Sequence, residues 1–137
     1  SEKPKLKKPN ILVVEDNYIN QQVVVEMLKN LQCQYQLAEN GQEALNMLNT
    51  SFDLILMDCQ MPLMNGYDTT RHIRANENGQ FNPDIPIVAL TANAMKGDDS
   101  KCFEAGMNDY LAKPIVSEQL AKILDKWVTR EKRKVTP

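Results

Sequence analysis

The sequence predicts an α/β fold, a doubly wound (βα)5 domain built on a five-stranded parallel sheet. Five short strand-like runs alternate with stretches whose apolar residues recur at helical spacing, the order that right-handed βαβ crossovers produce. The third run, Phe52 to Asp58, is apolar between Asp53 and its last residue, as suits a strand covered on both faces. The length agrees: 137 residues bury one real core and leave little chain for a second.

Each element has its own signal. Residues 1–9 are polar, with five charges and two prolines, and read as a linker or terminal extension. The folded domain is expected over 10–129, with 130–137 as a charged C-terminal tail. Ile11 to Val14 is the first strand. Ile19, Val23, Val24, Met27, Leu28 and Leu31 then form an apolar stripe expected to pack on one side of the sheet. Gln34 to Ala38 is a short second strand, and Asn40-Gly41 opens a helix with Ala44, Leu45 and Leu48 inward. The run Phe52 to Asp58 is the third and central strand. Gly66 to about Glu77 is the third helix, with Tyr67, Thr70 and Ile73 on one side, followed by a polar loop from Asn78 to Asp84 rich in turn residues.

Pro86 to Leu90 is the fourth strand, ending at Thr91. Met95 to Ala105 is the fourth helix, stopped by Gly106. Asp109 to Ala112 is the fifth strand, ending at Lys113-Pro114, where the proline fixes the turn and a cis bond would aim the lysine into the sheet edge. Ser117 is expected to cap the last helix, in which Leu120, Ile123, Leu124, Trp127 and Val128 keep the helical pattern.

Composition excludes more than it selects. A net charge of −2 with 42% hydrophobic residues describes an ordinary globular protein and names no partner class. Cys33, Cys59 and Cys102 are an odd number without Cys-x-x-Cys spacing, and there is one histidine. This argues against a disulfide framework and a zinc site and for a reducing, cytoplasmic compartment. No apolar stretch approaches the roughly 20 residues that cross a bilayer, so no membrane contact is expected of this domain, although a parent anchored in an inner membrane remains compatible. The basic residues in Lys3 to Lys8 and Arg130 to Lys134 read as solvated tails, and without a helix-turn-helix no nucleic acid is expected. His72, between Arg71 and Arg74, reads as a surface residue, and Cys59 as a buried inert thiol. Met57, Met61, Met64, Met95 and Met107 read as gap-filling core or binding surface.

The chemistry lies at the carboxyl ends of the strands, where doubly wound sheets bind ligands. Glu15 and Asp16 follow the first strand, Asp58 ends the third, Thr91 ends the fourth and Lys113 follows the fifth. One acid after a strand is an ordinary turn residue; five such groups at one edge are a site. Three carboxylates in one crevice raise each other's pKa unless a cation keeps them ionised, and an all-oxygen donor set suits Mg²⁺. Magnesium beside a carboxylate nucleophile points to phosphoryl transfer. Asp58 would form an aspartyl-phosphate, with Lys113 neutralising phosphoryl oxygens and the Thr91 hydroxyl donating to another.

The segments Val14-Glu15-Asp16-Asn17, Met57-Asp58-Cys59-Gln60-Met61-Pro62, Leu90-Thr91-Ala92-Asn93-Ala94 and Lys113-Pro114 resemble the signature blocks of response regulator receiver domains, in order and spacing, over about residues 10 to 128. The resemblance implies a flavodoxin-like receiver fold in which Asp58 takes phosphate from a phosphohistidine. It implies that Asp16, Asp58 and the backbone carbonyl of Gln60 ligate Mg²⁺ and that Glu15 acts through a metal-bound water. It further implies that Thr91 and Lys113 contact the phosphoryl group and that Tyr110 is a switch aromatic answering Thr91. In this family the side chains at Gln60 and Asn93 influence phosphate lifetime, and the face beginning near Asn17 and Asn20 docks the phosphohistidine partner.

Asn20-Gln21 after the acid pair, and Ala105-Gly106-Met107-Asn108-Asp109-Tyr110, are similar to receivers attached to hybrid sensor histidine kinases. Asn65 and Asn108 stand where that group often has Asp. The implied partners are a histidine kinase transmitter domain and a histidine phosphotransfer domain. No ATP-binding segment is recognisable; the domain would promote its own phosphorylation, and kinase activity would belong to the parent. Two alternatives stand beside this reading: a free-standing response regulator that binds a protein target, and a phosphatase of the haloacid dehalogenase type. The second needs an acid where Gln60 stands.

Overall fold

The structure is a computed structural model that describes residues 8–49, 51–61, 64–76, 79, 82–92 and 98–129. Five parallel strands, β1 (Asn10–Val14), β2 (Gln34–Ala38), β3 (Leu54–Asp58), β4 (Ile87–Thr91) and β5 (Asp109–Ala112), lie in the order β2-β1-β3-β4-β5. Helices α1 (Tyr18–Asn30), α2 (Gly41–Met47), α3 (Gly66–Ala75), α4 (Asp98–Ala105) and α5 (Ser117–Leu124) connect or follow them. The doubly wound α/β expectation holds, and β3 is central.

Alternation along the strands divides the core in two. Leu12, Val14, Ile55, Met57, Ile87 and Ala89 pack with Ala44, Ile73 and Cys102 of α2, α3 and α4. Ile11, Val13, Leu54, Leu56, Val88 and Leu90 pack with Val24, Leu28, Leu120 and Leu124 of α1 and α5. β1, β3 and β4 are buried along their whole length. The strand order reverses beside β1, so the crevice between the ends of β1 and β3 is the topological switch point of the sheet.

Three helices open on asparagine. Asn17, Asn40 and Asn65 accept from the N–H groups of Asn20, Glu43 and Asp68 at 3.0, 2.8 and 2.9 Å, satisfying donors that have no partner within the helix. Asn65 thus caps α3. Asn108 Oδ1 accepts from Ile87 N–H at 2.8 Å and from Arg74 Nη2 at 2.7 Å. Arg74 also donates to the carbonyls of Gly106, Pro83 and Ile85, tying α3 to the starts of β4 and β5, at the pole away from Asp58.

Some boundaries and one helix face differ from expectation. In α1 the buried residues are Gln21, Val24, Val25 and Leu28; Ile19 is 70% and Val23 43% exposed. The apolar pattern spans more than one face, and the sheet takes the face that also carries Gln21. Ser117 does not cap α5: Val116 holds the cap position without a side-chain bond, and its carbonyl accepts from Gln119 and Leu120. α3 ends at Ala75 with Asn76 left-handed at φ +44°, a conformation asparagine tolerates. The final pattern continues past α5 as a π-helical turn, Asp125–Thr129, that keeps Val128 buried. Trp127 Nε1 donates there to Asp109 Oδ2 at 3.1 Å. The expected start of α4 at Met95, together with Asn93, Pro62, Leu63, Glu77, Asn78 and both tails beyond 8–129, lies outside the described residues.

Candidate functional site

Glu15 leaves β1 with 1% of its surface exposed. Its N–H donates to the Ala38 carbonyl of β2 at 3.0 Å. Its carboxylate accepts from Asn17 N–H at 3.1 Å through Oε2 and from Lys113 Nζ at 2.9 Å through Oε1. Asp16, the next residue, is exposed. Asp58, 3% exposed, presents Oδ1 to Gln60 N–H at 3.0 Å and to Lys113 Nζ at 3.4 Å. One carboxylate oxygen from each of Glu15, Asp16 and Asp58 lies within 4.8 Å of the other two. Sequence order separates Asp58 widely from the Glu15-Asp16 pair; the β1–β3 pairing, with Val14 opposite Met57, brings them together.

The other predicted residues reach the same edge. Thr91 is buried at the end of β4, one place beyond Leu90, the register partner of Asp58. Its carbonyl accepts from Lys113 N–H at 2.8 Å. The Lys113–Pro114 peptide is cis. Gly66 closes the floor: a Cβ there would lie 2.3 Å from the Asp58 carbonyl oxygen, so α3 can start this close only without a side chain. Tyr110 stands apart, half-buried on β5, with its ring 6.4 Å from Phe103 at an interplanar angle of 72°. The Gln60 side chain is exposed, as is His72.

Charge in the crevice is unevenly shared. Burial pushes the Asp58 carboxyl up to about 6, against the pull of Gln60 N–H, and the neighbouring Glu15 charge adds to the rise. Burial acts on Glu15 in the same sense, yet the Lys113 and Asn17 donors outweigh it and leave its pKa lowered. Burial pulls Lys113 down, but the bonds and charges of Glu15 and Asp58 raise it overall. Glu15 and Lys113 therefore form the settled ion pair, while Asp58 holds its proton more readily than an ordinary aspartate. Beside it the Cys59 thiol, 2% exposed, is pushed up to about 12, chiefly by burial, and offers no usable thiolate at neutral pH.

The donor set is entirely hard oxygen, with one acid open to water, which fits a Mg²⁺ ion keeping some of its own waters. Sequence reading noted Gln21 only within the Asn20-Gln21 pair and missed its contact: the buried amide donates to the Glu15 carbonyl at 2.7 Å. A polar residue in register with Val24 and Leu28 on one helix face was the available signal. It also missed that Lys113 bonds Glu15 more closely than Asp58.

Comparison with known proteins agrees with this geometry. A family model described as the response regulator receiver domain matches residues 11–125. The sensor histidine kinase GacS of Pseudomonas protegens is 41% identical over 120 residues, which are 87% of this chain and 13% of that protein. Hybrid signal transduction histidine kinase L of Dictyostelium discoideum is 40% identical over 121 residues, 85% of this chain and 7% of that protein. The chain thus spans a small fraction of the length of these relatives.

Among solved structures, the receiver domain of a sensor histidine kinase from Pseudomonas aeruginosa PAO1, with a magnesium ion coordinated in the active site cleft, superposes with a TM-score of 0.78 at 45% identity. The match covers 90% of this chain and 99% of that one. A chain of the Saccharomyces cerevisiae co-crystal of the histidine phosphotransfer protein Ypd1 with the receiver domain of its downstream response regulator Ssk1 matches with a TM-score of 0.82. It is 38% identical over 90% of this chain and 91% of that one. With the family model matching residues 11–125, a span that includes Glu15, Asp16, Asp58, Gln60, Thr91, Tyr110 and Lys113, the chain belongs to the response regulator receiver domain family.

Proposed function

We propose that Asp58 accepts a phosphoryl group from a phosphohistidine in a Mg²⁺-dependent step and passes it on to a histidine phosphotransfer domain. The observation that carries this reading is the Asp58 carboxylate at the switch point of the sheet, 3.4 Å from Lys113 Nζ and in one cluster with Glu15 and Asp16. Asp16, Asp58 and the backbone carbonyl of Gln60 would hold the ion, with Glu15 reaching it through water. Bound there, Mg²⁺ supplies positive charge that keeps the carboxylates ionised and draws charge from the phosphoryl oxygens.

The remaining work belongs to the chain. An Asp58 carboxylate oxygen attacks phosphorus, the new O–P bond forms as the P–N bond breaks, and the imidazole nitrogen keeps the bonding pair. The low-dielectric floor around Asp58 keeps competing water from most of its surface. Lys113 shifts from Glu15 to a phosphoryl oxygen, and the Thr91 hydroxyl donates to another. Movement of Thr91 lets Tyr110 repack beside Phe103, altering the face of α4, β5 and α5.

The partner docks on α1. Tyr18 and Ile19 are each 70% exposed, and with Val23 and Met27 they line an open groove that also carries the polar Gln22 and Glu26. So much exposed apolar surface next to a reactive carboxylate suits a protein partner. Similarity to hybrid kinases supports a parent that carries a transmitter domain, with residues 10–129 as its receiver unit and the flanking segments as connectors. The described residues contain no helix long and apolar enough to cross a membrane, and a cytoplasmic site of action follows from the proposed partners.

Incubation with a radiolabelled phosphohistidine donor tests the assignment. Wild type is expected to take label in Mg²⁺ and lose the capacity in EDTA, and Asp58→Asn is expected to take none. Labelling of Asp58→Asn at the wild-type level would overturn it.

A further inference from the structure

We infer that Gln21 is a positioning residue of the acidic crevice, its buried amide holding the peptide between Glu15 and Asp16 so that both carboxylates face Asp58. The inference rests on the reading of the crevice as a Mg²⁺ site. Gln21 is 6% exposed on the α1 face shared with Val24, Val25 and Leu28. A buried polar side chain is favourable there only with a partner, and the partner is specific: Nε2 donates to the Glu15 carbonyl at 2.7 Å.

That carbonyl is part of the peptide unit joining two of the three clustered acids, so the bond fixes the plane from which the Asp16 chain departs. Asp16 is exposed and depends on its main chain for placement. Ties with backbone donors in this turn are Glu15 N–H to the Ala38 carbonyl and Gln21 N–H to the Asn17 carbonyl, at 3.0 and 2.9 Å, and Asn17 N–H to Glu15 Oε2 at 3.1 Å, while Lys113 Nζ holds the Glu15 carboxylate and not its carbonyl. Gln21 adds a tie made by a side chain. Rotation of the Glu15–Asp16 peptide would break this bond and swing Asp16 away from Glu15 and Asp58. A metal site needs its ligands preplaced to small tolerances, and Gln21 supplies that preplacement from behind.

The test is a MgCl2 titration of the chain at pH 8, read as the magnesium-induced rise in Tm and by calorimetry. Gln21→Met keeps the volume and removes the amide; Val25→Ala weakens the same helix one turn on, away from the loop. Gln21→Met is expected to raise the Kd for Mg²⁺ at least fivefold, and Val25→Ala to lower Tm at unchanged Kd. Gln21→Glu serves as a second variant, also where Gln21→Met fails to fold. Added negative charge alone would tighten Mg²⁺ binding, whereas loss of the amide donor weakens it.

A Kd within twofold of wild type in Gln21→Met, equal weakening in Val25→Ala, or tighter binding in Gln21→Glu would overturn the inference while leaving the metal site standing. Wild-type chain insensitive to Mg²⁺ by both measurements would remove the metal reading and this inference together.

Discussion

Lys113 is bonded to Glu15, at 2.9 Å, more closely than to Asp58, at 3.4 Å. Its ammonium supplies the positive charge between the two carboxylates, and a divalent ion entering the crevice competes with it.

Lys113→Ala therefore separates binding from chemistry. Removing the ammonium is expected to tighten Mg²⁺ several-fold in calorimetry while lowering phosphotransfer by tenfold or more, because a phosphoryl oxygen loses its cation. In the metal-free state the variant should lose about 1–3 kcal/mol at neutral pH, the range for a partly exposed pair broken on one side. The lowered pKa of Glu15 sets the sign: its contribution is present above the unfolded value of 4.5 and is lost as pH falls through the folded one. The gap between wild type and variant should thus close on acidification, as urea melts at pH 4 and pH 7 would read out.

Asp58→Asn is expected to stabilise the metal-free fold. The folded pKa of about 6 lies above the unfolded 3.8, so this carboxyl favours folding below about pH 4 and loses that contribution as pH rises through 6. A rise of about two units corresponds to roughly 3 kcal/mol as an upper figure. Melts across pH 4–8 should show the variant gaining on wild type through this window, and saturating Mg²⁺ should reduce the advantage by stabilising only the wild type.

Gly66→Ala places a methyl 2.3 Å from the Asp58 carbonyl oxygen. The start of α3 must back away from β3. A loss of about 2–4 kcal/mol is expected from overpacking against main chain, with slower phosphotransfer because the displaced strand end carries Asp58. Calorimetric Tm and transfer rate should fall together.

Tyr18→Ser and Ile19→Ser remove exposed apolar area and should shift stability by under about 0.5 kcal/mol. Phosphotransfer from a phosphohistidine protein should nevertheless fall at least tenfold, while labelling by a small-molecule phosphodonor stays unchanged. Equal loss with both donors would place the effect in the crevice and not at a docking face.

The parallel doubly wound sheet with its third strand central, and the gathering of Glu15, Asp16, Asp58, Thr91 and Lys113, were legible because parallel strands leave a strong signal: buried apolar runs whose last residues share one edge. The face of α1 was not. Ile19 and Val23 match helical spacing as well as Gln21 and Val25 do, and the buried face carries a hydrogen bond from Gln21 to the Glu15 carbonyl that no periodicity encodes. The Ser117 cap failed similarly: serine favours the cap position, but Val116 holds it and Ser117 is the first residue of α5. The bias of Lys113 toward Glu15 depends on side-chain reach and unequal burial, which spacing along the chain does not carry.

The tie between Trp127 and Asp109 has an experimental use. Trp127 is the sole indole in the sequence, and its hydrogen bond ends on the residue just before Tyr110. Any displacement of β5 alters the carboxylate facing that ring, so the domain carries its own fluorophore, and emission from unlabelled protein would time the proposed conformational response to phosphate.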